Sequence, residues 1–340
     1  MNDTLTGTPT DTPTEPDIQA ELAQLETLRR AIAQAIVGQD EVVEQLLIGL
    51  LAGGHCLLEG VPGLGKTLLV RSLGQALDLQ FRRVQFTPDL MPSDIIGTEI
   101  LEEDHGTGQR HFKFQRGPVF TNLLLADELN RTPPKTQAAL LEAMQERTVS
   151  YAGVTHPLPA PFFVLATQNP LEQAGTYPLP EAQLDRFLLH VRVEYPTRAE
   201  EREILVQTTG THQAEVPQVM HGDAVLALQA RVREVHLGED LLDWITRLVR
   251  ASRPDDDAPP EIRRWVKWGA GPRAGQSLVL ASKARALLHG RLAATREDVL
   301  ALAAPVLRHR LLLSFTAEAE QTHGDEVIAA LLTAVPFAPR

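Results

Sequence analysis

Gly60-Val61-Pro62-Gly63-Leu64-Gly65-Lys66-Thr67 spells the complete string G-x-x-x-x-G-K-T, and its flanks decide what that string means. Before it runs His55-Cys56-Leu57-Leu58-Glu59, short, mostly apolar and strand-like; after it, Leu68-Leu69-Val70-Arg71-Ser72-Leu73 has the apolar density of a helix opening at the loop. A strand, a glycine-rich turn and a helix in this order form a phosphate-binding loop. With no Cβ at Gly60, Gly63 and Gly65, successive backbone N–H groups can wrap anionic oxygens at a helix N-terminus. Lys66 adds a charge at the β- and γ-phosphates, and the Thr67 hydroxyl suits Mg²⁺. An accidental glycine-rich turn would lack these flanks. The segment Gly60 through Leu68 is therefore expected to hold a nucleoside triphosphate, with ATP and Mg²⁺ as cofactors.

Hydrolysis needs a second acidic strand to hold the metal and orient water. Asn122-Leu123-Leu124-Leu125-Ala126-Asp127-Glu128 supplies an apolar run, suited to a buried parallel strand, ending in two carboxylates. Ligands of open α/β sheets sit beyond the carboxyl ends of strands, where these two would emerge. Asp127 is assigned to the Mg²⁺ shell through water, and Glu128 to the nucleophilic water. A third strand, Phe162 to Thr167, ends in Gln168-Asn169-Pro170, where a polar side-chain amide can bond the γ-phosphate or the water. Arg186 falls at a helix-to-strand corner, and Pro272 suits the first turn of a helix carrying Arg273. An arginine at a helix start runs against the macrodipole unless an anion compensates it. Taken singly, each arginine reads more simply as an ordinary surface cation or ion pair, because arginines are mostly exposed.

Seven strings occur in one order: Ile36-Val37-Gly38-Gln39, the phosphate loop, Pro88 through Gly97, Asp127 through Lys135, Ala166 through Pro170, Pro178 through Phe187, and Gly271-Pro272-Arg273-Ala274. Together they resemble the MoxR-type AAA+ ATPases of the helix-2-insert and pre-sensor-1-hairpin clade, over roughly residues 20 to 320. The resemblance implies an α/β P-loop core with a smaller helical lid, and ATP hydrolysis between subunits of a homo-oligomeric ring, usually a hexamer. It places Gln39 near the adenine and makes Asn169 sensor 1, Arg186 a trans-acting finger and Arg273 the sensor-2 arginine, in cis or in trans. The family string usually has Ser where this chain has Gly271, a difference in the turn and not in the guanidinium. Such proteins resemble chaperones that assemble or activate partners, often von Willebrand A-domain proteins or metalloenzymes.

At 340 residues the chain has room for two domains. Residues 1–17 alternate Thr, Pro, Asp and Gly and read as a disordered acidic tail. Residues 18–196 read as the nucleotide-binding core, and 197–340 as a linker and helical lid, with further polar connectors at 207–222 and 253–260. Two hairpins are expected in the core. One is Thr148–Tyr151 with Val154–Pro157 around Ala152-Gly153; the other spans Ile100 to Phe114 around Asp104-His105-Gly106-Thr107-Gly108. Read plainly, both are surface hairpins that cap the sheet. The resemblance makes them the clade's inserted elements, which face the pore or the partner. The partner-facing reading is preferred because long loops without their own core tend to be functional. Trp265 and Trp268, three apart, are expected on one helix packed into the lid.

No apolar stretch approaches the ~20 residues of a membrane span, and no basic-then-apolar leader opens the chain. The single cysteine, Cys56, sits in an apolar strand, so the expected location is a reducing cytoplasm. Eleven histidines show no zinc-ligand spacing, and Asp255-Asp256-Asp257 lie in a Pro-bounded loop that does not converge on one ion. A formal charge of −12 argues against broad binding to nucleic acid, and hence against a ring helicase. A magnesium-chelatase motor subunit shares the clade but fits these strings less closely. A nucleotide switch without turnover is disfavoured by the presence of both Glu128 and Arg186.

Overall fold

The structure is a computed structural model that describes residues 15–61, 63–103, 109–169, 175–209 and 216–338. The expected turn at Asp104–Gly108 and most of the expected tail lie outside the described residues. Helix α1 (Glu15–Ala35) starts at Glu15, ahead of the first apolar repeat at Ile18, and is followed by α2 (Asp40–Leu51), β1 (Cys56–Glu59) and α3 (Lys66–Ala76). Next come β2 (Phe81–Gln85), α4 (Pro92–Ile96), β3 (Gly97–Glu103), β4 (Arg110–Arg116), β5 (Leu123–Asp127) and α5 (Pro134–Glu146). The core closes with β6 (Thr148–Tyr151), β7 (Val154–Pro157), β8 (Phe163–Gln168), α6 (Glu181–Leu184), β9 (Leu189–Arg192) and α7 (Arg198–Thr209).

Five strands form one parallel sheet in the order β2-β5-β8-β1-β9. The inner strands β5, β8 and β1 are nearly unbroken apolar runs because both of their faces are covered. Alternate residues divide between two cores. Cys56, Leu58, Leu123, Leu125 and Leu165 pack toward α1, α2 and α3, while Leu57, Leu124, Ala126 and Val164 pack toward α4 and α5. Strand β2 reads Phe-Arg-Arg-Val-Gln and lies at the sheet edge, where its polar side chains reach solvent. That polarity hid it from an apolar-run reading.

Both hairpins form. Tyr151 pairs with Val154 across Ala152 and Gly153, each at positive φ, which is the turn geometry that matches strand twist. Glu103 pairs with Arg110 at the described end of the other. They are not independent: the Phe114 ring of β4 stacks on His156 at 4.6 Å and lies 5.2 Å from Tyr151.

The lid contains α8 (Gly222–Glu234), α9 (Glu239–Ala251), α10 (Pro260–Trp265), β10 (Val266–Trp268), α11 (Pro272–Leu288), α12 (Arg296–Leu307), β11 (Leu312–Leu313), α13 (Phe315–Ala319) and α14 (Gly324–Ala334). The two tryptophans do not share a helix. Trp265 ends α10, whereas Trp268 sits in β10 opposite Leu312 and is 72% exposed. Lid and core share one buried apolar cluster that includes Leu46, Leu228 and Leu278. Arg285 of α11 bonds Glu44 of α2 at 2.9 Å across the junction.

Candidate active site

The parallel register brings three chain-distant segments to one sheet edge. Glu59 pairs with Gln168, Ala126 with Ala166, and Gln85 with Asp127, so the phosphate loop, the two carboxylates and Asn169 all follow the C-terminal ends of adjacent strands. At the loop, Gly63 and Gly65 adopt φ of 90° and 73°, and a Cβ on either would meet nothing within 4 Å. Their use is conformational, and the space above them is open to a ligand. Gly60 differs from the expectation. A Cβ there would lie 2.8 Å from the Val193 carbonyl, so this glycine is required by packing against the chain just after β9 and not by backbone curvature. Gly65 caps α3, whose first N–H groups and aligned peptide dipoles favour an anion. Pro62 and Pro170 lie outside the described residues.

Lys66 is half-buried and donates to the Gly60 carbonyl. Burial pushes its ammonium below the ordinary value, while the carboxylates of Asp127, Glu128 and Glu59 oppose that shift. An incoming phosphate would offer a stronger acceptor than a carbonyl. Glu59, directly before the loop, is held below the usual carboxylate range chiefly by His190, with Arg192 adding to the effect. Arg192 also bonds Asp325 of the lid at 2.8 Å, and Arg308 grips that same carboxylate at 3.0 and 3.1 Å. A chain of ion pairs thus runs from Glu59 at the end of β1, through Arg192, to Asp325 of α14 and Arg308 just after α12.

Asp127 and Glu128 are fixed by side chains that the sequence reading did not single out. The Thr167 hydroxyl donates to Asp127 Oδ1 at 2.7 Å and accepts the Glu128 amide at 2.8 Å. Thr167 itself is 1% exposed, so this junction is shielded from water. Glu128 adopts φ 58°, a left-handed conformation uncommon for a non-glycine residue, which turns its side chain away from the strand line. Gln85 donates to Glu128 Oε2 at 2.6 Å, and Arg131 approaches the same oxygen at 3.1 Å. Arg83 holds Asp127 Oδ2 at 2.6 Å. Arg83 and Gln85 share one face of β2, a period-2 relation that becomes visible once β2 is recognised as a strand.

A cleft of about 440 Å³ opens beside the loop, lined by Ile36, Gln39, Leu64, Leu68, Tyr195 and Leu205. Gln39 donates its amide to the Leu64 carbonyl at 2.9 Å, tying the segment before α2 to the loop. The apolar walls and this position suit a nucleotide base. Asn169 is buried at 7% exposure after β8. Arg186 and Arg273 are not among the residues lining this cleft. Arg186 follows α6, and its neighbour Asp185 is 2.7 Å from Arg310 and 3.8 Å from Arg273. Asp185 lines a separate groove with Trp268 and Gly271. Arg310 is 8% exposed and also donates to the carbonyls of Phe187 and Leu188, so the corner carrying Arg186 is clamped from the lid.

Among the described residues no cluster of His, Cys, Asp and Glu could hold a metal, and no helix is long and apolar enough to cross a membrane. Mg²⁺ held by Thr67 and, through water, by Asp127 needs no such cluster. The open cradle above Gly63 and Gly65, with Thr67 half-buried in the first turn of α3, fits a metal carried in with phosphates.

Comparison with known proteins places this geometry. Residues 55–189 match the family described as "ATPase family associated with various cellular activities (AAA)", and residues 262–331 match the AAA lid domain. The chain is 45% identical to the chaperone MoxR1 of Mycobacterium tuberculosis (strain ATCC 25618 / H37Rv) over 92% of this chain and 83% of that protein. It is 31% identical to protein MoxR of Paracoccus denitrificans, covering 92% and 94%. A crystal structure of a candidate ATPase from Cytophaga hutchinsonii ATCC 33406 superposes with a TM-score of 0.88 at 38% identity, covering 96% of this chain and 98% of that one.

Proposed function

The chain belongs to the MoxR-type AAA ATPases, and on that premise we propose that it hydrolyses Mg²⁺-ATP in a ring of identical copies in order to remodel or activate a protein partner. The observation that carries the catalytic half is the Thr167 junction, which holds Asp127 and Glu128 at the sheet edge beside Lys66. Lys66 leaves the Gly60 carbonyl for the β- and γ-phosphates, and Gly63, Gly65 and the start of α3 supply N–H donors to them. Thr67 and, through water, Asp127 would hold Mg²⁺, which when bound would supply positive charge against the phosphates. Glu128, steadied by Gln85, orients and polarises the attacking water. Asn169, just past β8, bonds the γ-phosphate or that water.

The ring reading rests on the arginines. Arg186 and Arg273 flank Asp185 beside a groove that is separate from the nucleotide cleft. A second copy presenting this side to the cleft would complete the site with a guanidinium, and the same placement favours Arg273 acting in trans. Two different surfaces meeting head to tail form a ring when the rotation between copies closes. The partner half rests on the chaperone name of the mycobacterial relative and on the exposed hairpin residues Leu101, Phe112 and Val154. A von Willebrand A-domain protein is one partner class this reading admits.

Two variants test the proposal together. Lys66→Ala should abolish ATP binding, while Glu128→Gln should keep nucleotide affinity and stop turnover, because it removes help needed only in the transition state. Normal steady-state hydrolysis by Glu128→Gln would overturn the assignment.

A further inference from the structure

We propose that the groove between α9 and α11 of the lid is a docking site for an acidic amphipathic helix of a partner protein. This inference rests on the reading of the chain as a partner-handling ATPase and names the surface and chemistry by which a partner is held.

The groove encloses about 740 Å³ and has an apolar floor made by Leu242, Ile245 and Val249 of α9 with Val279 and Leu280 of α11. These residues recur at helical spacing, so the floor runs along both helix axes for about 12 Å between Leu242 and Arg250. Leu242 is 42% exposed, a large aliphatic side chain facing solvent at the rim. Grooves of this shape between two helices take an amphipathic helix through anchors at i, i+3, i+4 and i+7.

Three guanidinium groups, those of Arg233, Arg250 and Arg253, line the same groove. Among the described residues none forms a salt bridge with a carboxylate; Arg253 donates instead to the Ala270 carbonyl at 3.2 Å. On a chain of net charge −12, three uncompensated cations around one apolar floor set the sign of the ligand. Ile245 and Val249 are buried in the lid's own core, and a nucleic acid would satisfy the charges but would leave the accessible aliphatic surface of Leu242, Val279 and Leu280 without a partner. An acidic helix with an apolar stripe satisfies both.

Gly275 supplies an independent indication. It lies inside α11, where glycine costs helix stability relative to alanine. A Cβ at Gly275 would stand 3.7 Å from Val249 Cγ2 and 4.0 Å from Ile245 Cγ2, ordinary contact distances, and its φ is not in the left-handed region. Neither internal packing nor backbone geometry demands a glycine here. A bare position on the groove floor is explained by a segment approaching closely from outside.

The test uses the full chain and a fluorescein-labelled peptide of about 14 residues, with leucines at i, i+3, i+4 and i+7 and glutamates between them. A peptide with lysine in place of each glutamate is the control. Anisotropy without nucleotide should show the acidic peptide binding and the basic one not, with binding weakening as salt rises. Arg233→Glu with Arg250→Glu, and separately Gly275→Leu, should each weaken the acidic peptide by about tenfold or more. Basal ATP hydrolysis should stay unchanged in both. Equal binding of the two peptides, or unaltered binding to both variants, would overturn the proposal. So would a fall in oligomer mass by light scattering in Gly275→Leu without loss of peptide binding, since the groove would then be a contact between copies. Because binding is read without nucleotide, a chain that takes the peptide but hydrolyses no ATP would sink the ATPase reading alone.

Discussion

Thr167 on β8 donates its hydroxyl hydrogen to Oδ1 of Asp127 on β5 over 2.7 Å. The pairing of Ala126 with Ala166 sets the next residue of each strand side by side, and the threonine oxygen then accepts the Glu128 amide. One buried hydroxyl thus holds the Asp127 carboxylate and the Glu128 backbone together, while Gln85 and Arg131 hold the Glu128 carboxylate.

Thr167→Val keeps the shape and removes both hydrogen bonds. Such bonds to charged groups are worth about 1.5–3 kcal/mol. Turnover should fall about tenfold or more, with nucleotide affinity within about twofold of the parent, because the loop is untouched. Thr167→Ser should recover most of the rate. Steady-state hydrolysis alongside a nucleotide titration separates the two effects, and equal losses in rate and affinity would reassign Thr167 to general support of the sheet.

Arg186 should act on a neighbouring copy. Arg186→Ala and Lys66→Ala are each expected to be inactive alone, since a trans arginine can contribute about 10³ or more in rate. Mixed, they create interfaces where an intact Lys66 meets an intact Arg186, and activity should partly return. Mixed assemblies with no recovery would place Arg186 outside the reaction.

The hairpin tips should serve the partner and not the chemistry. Phe112 and Val154 are 72% and 56% exposed, whereas Tyr151 and Phe114 pack on each other and join the two hairpins. Phe112→Ser with Val154→Ser should leave basal hydrolysis within about twofold, as surface changes usually cost under 0.5 kcal/mol. The same variant should lose stimulation by a cognate protein. Tyr151→Ala is expected to disturb both hairpins and so to lower the melting temperature. Poor basal hydrolysis by the tip variant would make the tips structural supports of the site.

Acid should destabilise the fold through buried histidines. His55 accepts the Val164 amide at 3.0 Å and pairs with the Met144 carbonyl at 3.1 Å, and burial lowers its pKa to about 4. Burial, with Arg310 adding, drives His309 down as well. The unfolded chain takes up these protons below about pH 6.5, whereas folded His55 does so only near pH 4. Stability is therefore fully present above about pH 6.5 and falls through that window, by about 3 kcal/mol for His55. Melting temperatures from about pH 7.5 to 5 should decline, and His55→Gln should melt lower at neutral pH with a shallower decline. An unchanged slope in that variant would remove His55 from the account.

What the sequence determined by itself is what lies contiguous in it. Gly60 through Thr67 and the Asp127-Glu128 strand end are readable because a phosphate loop and a buried acidic strand need neighbouring residues of fixed type. The inner strands were equally legible, since burial on both faces demands an unbroken apolar run. The edge strand β2 was not, because one open side permits Arg82, Arg83 and Gln85. Spacing alone places Trp268 on a helix, because it does not reveal that the chain turns extended at Val266. Only the tertiary structure decided which side chains hold the site. Thr167, Gln85 and Arg83 reach Asp127 and Glu128 through strand register, and Arg310 clamps Asp185 from well over a hundred residues away. Register and lid docking are properties of the whole packed molecule, and no local string encodes the pairing of segments that far apart.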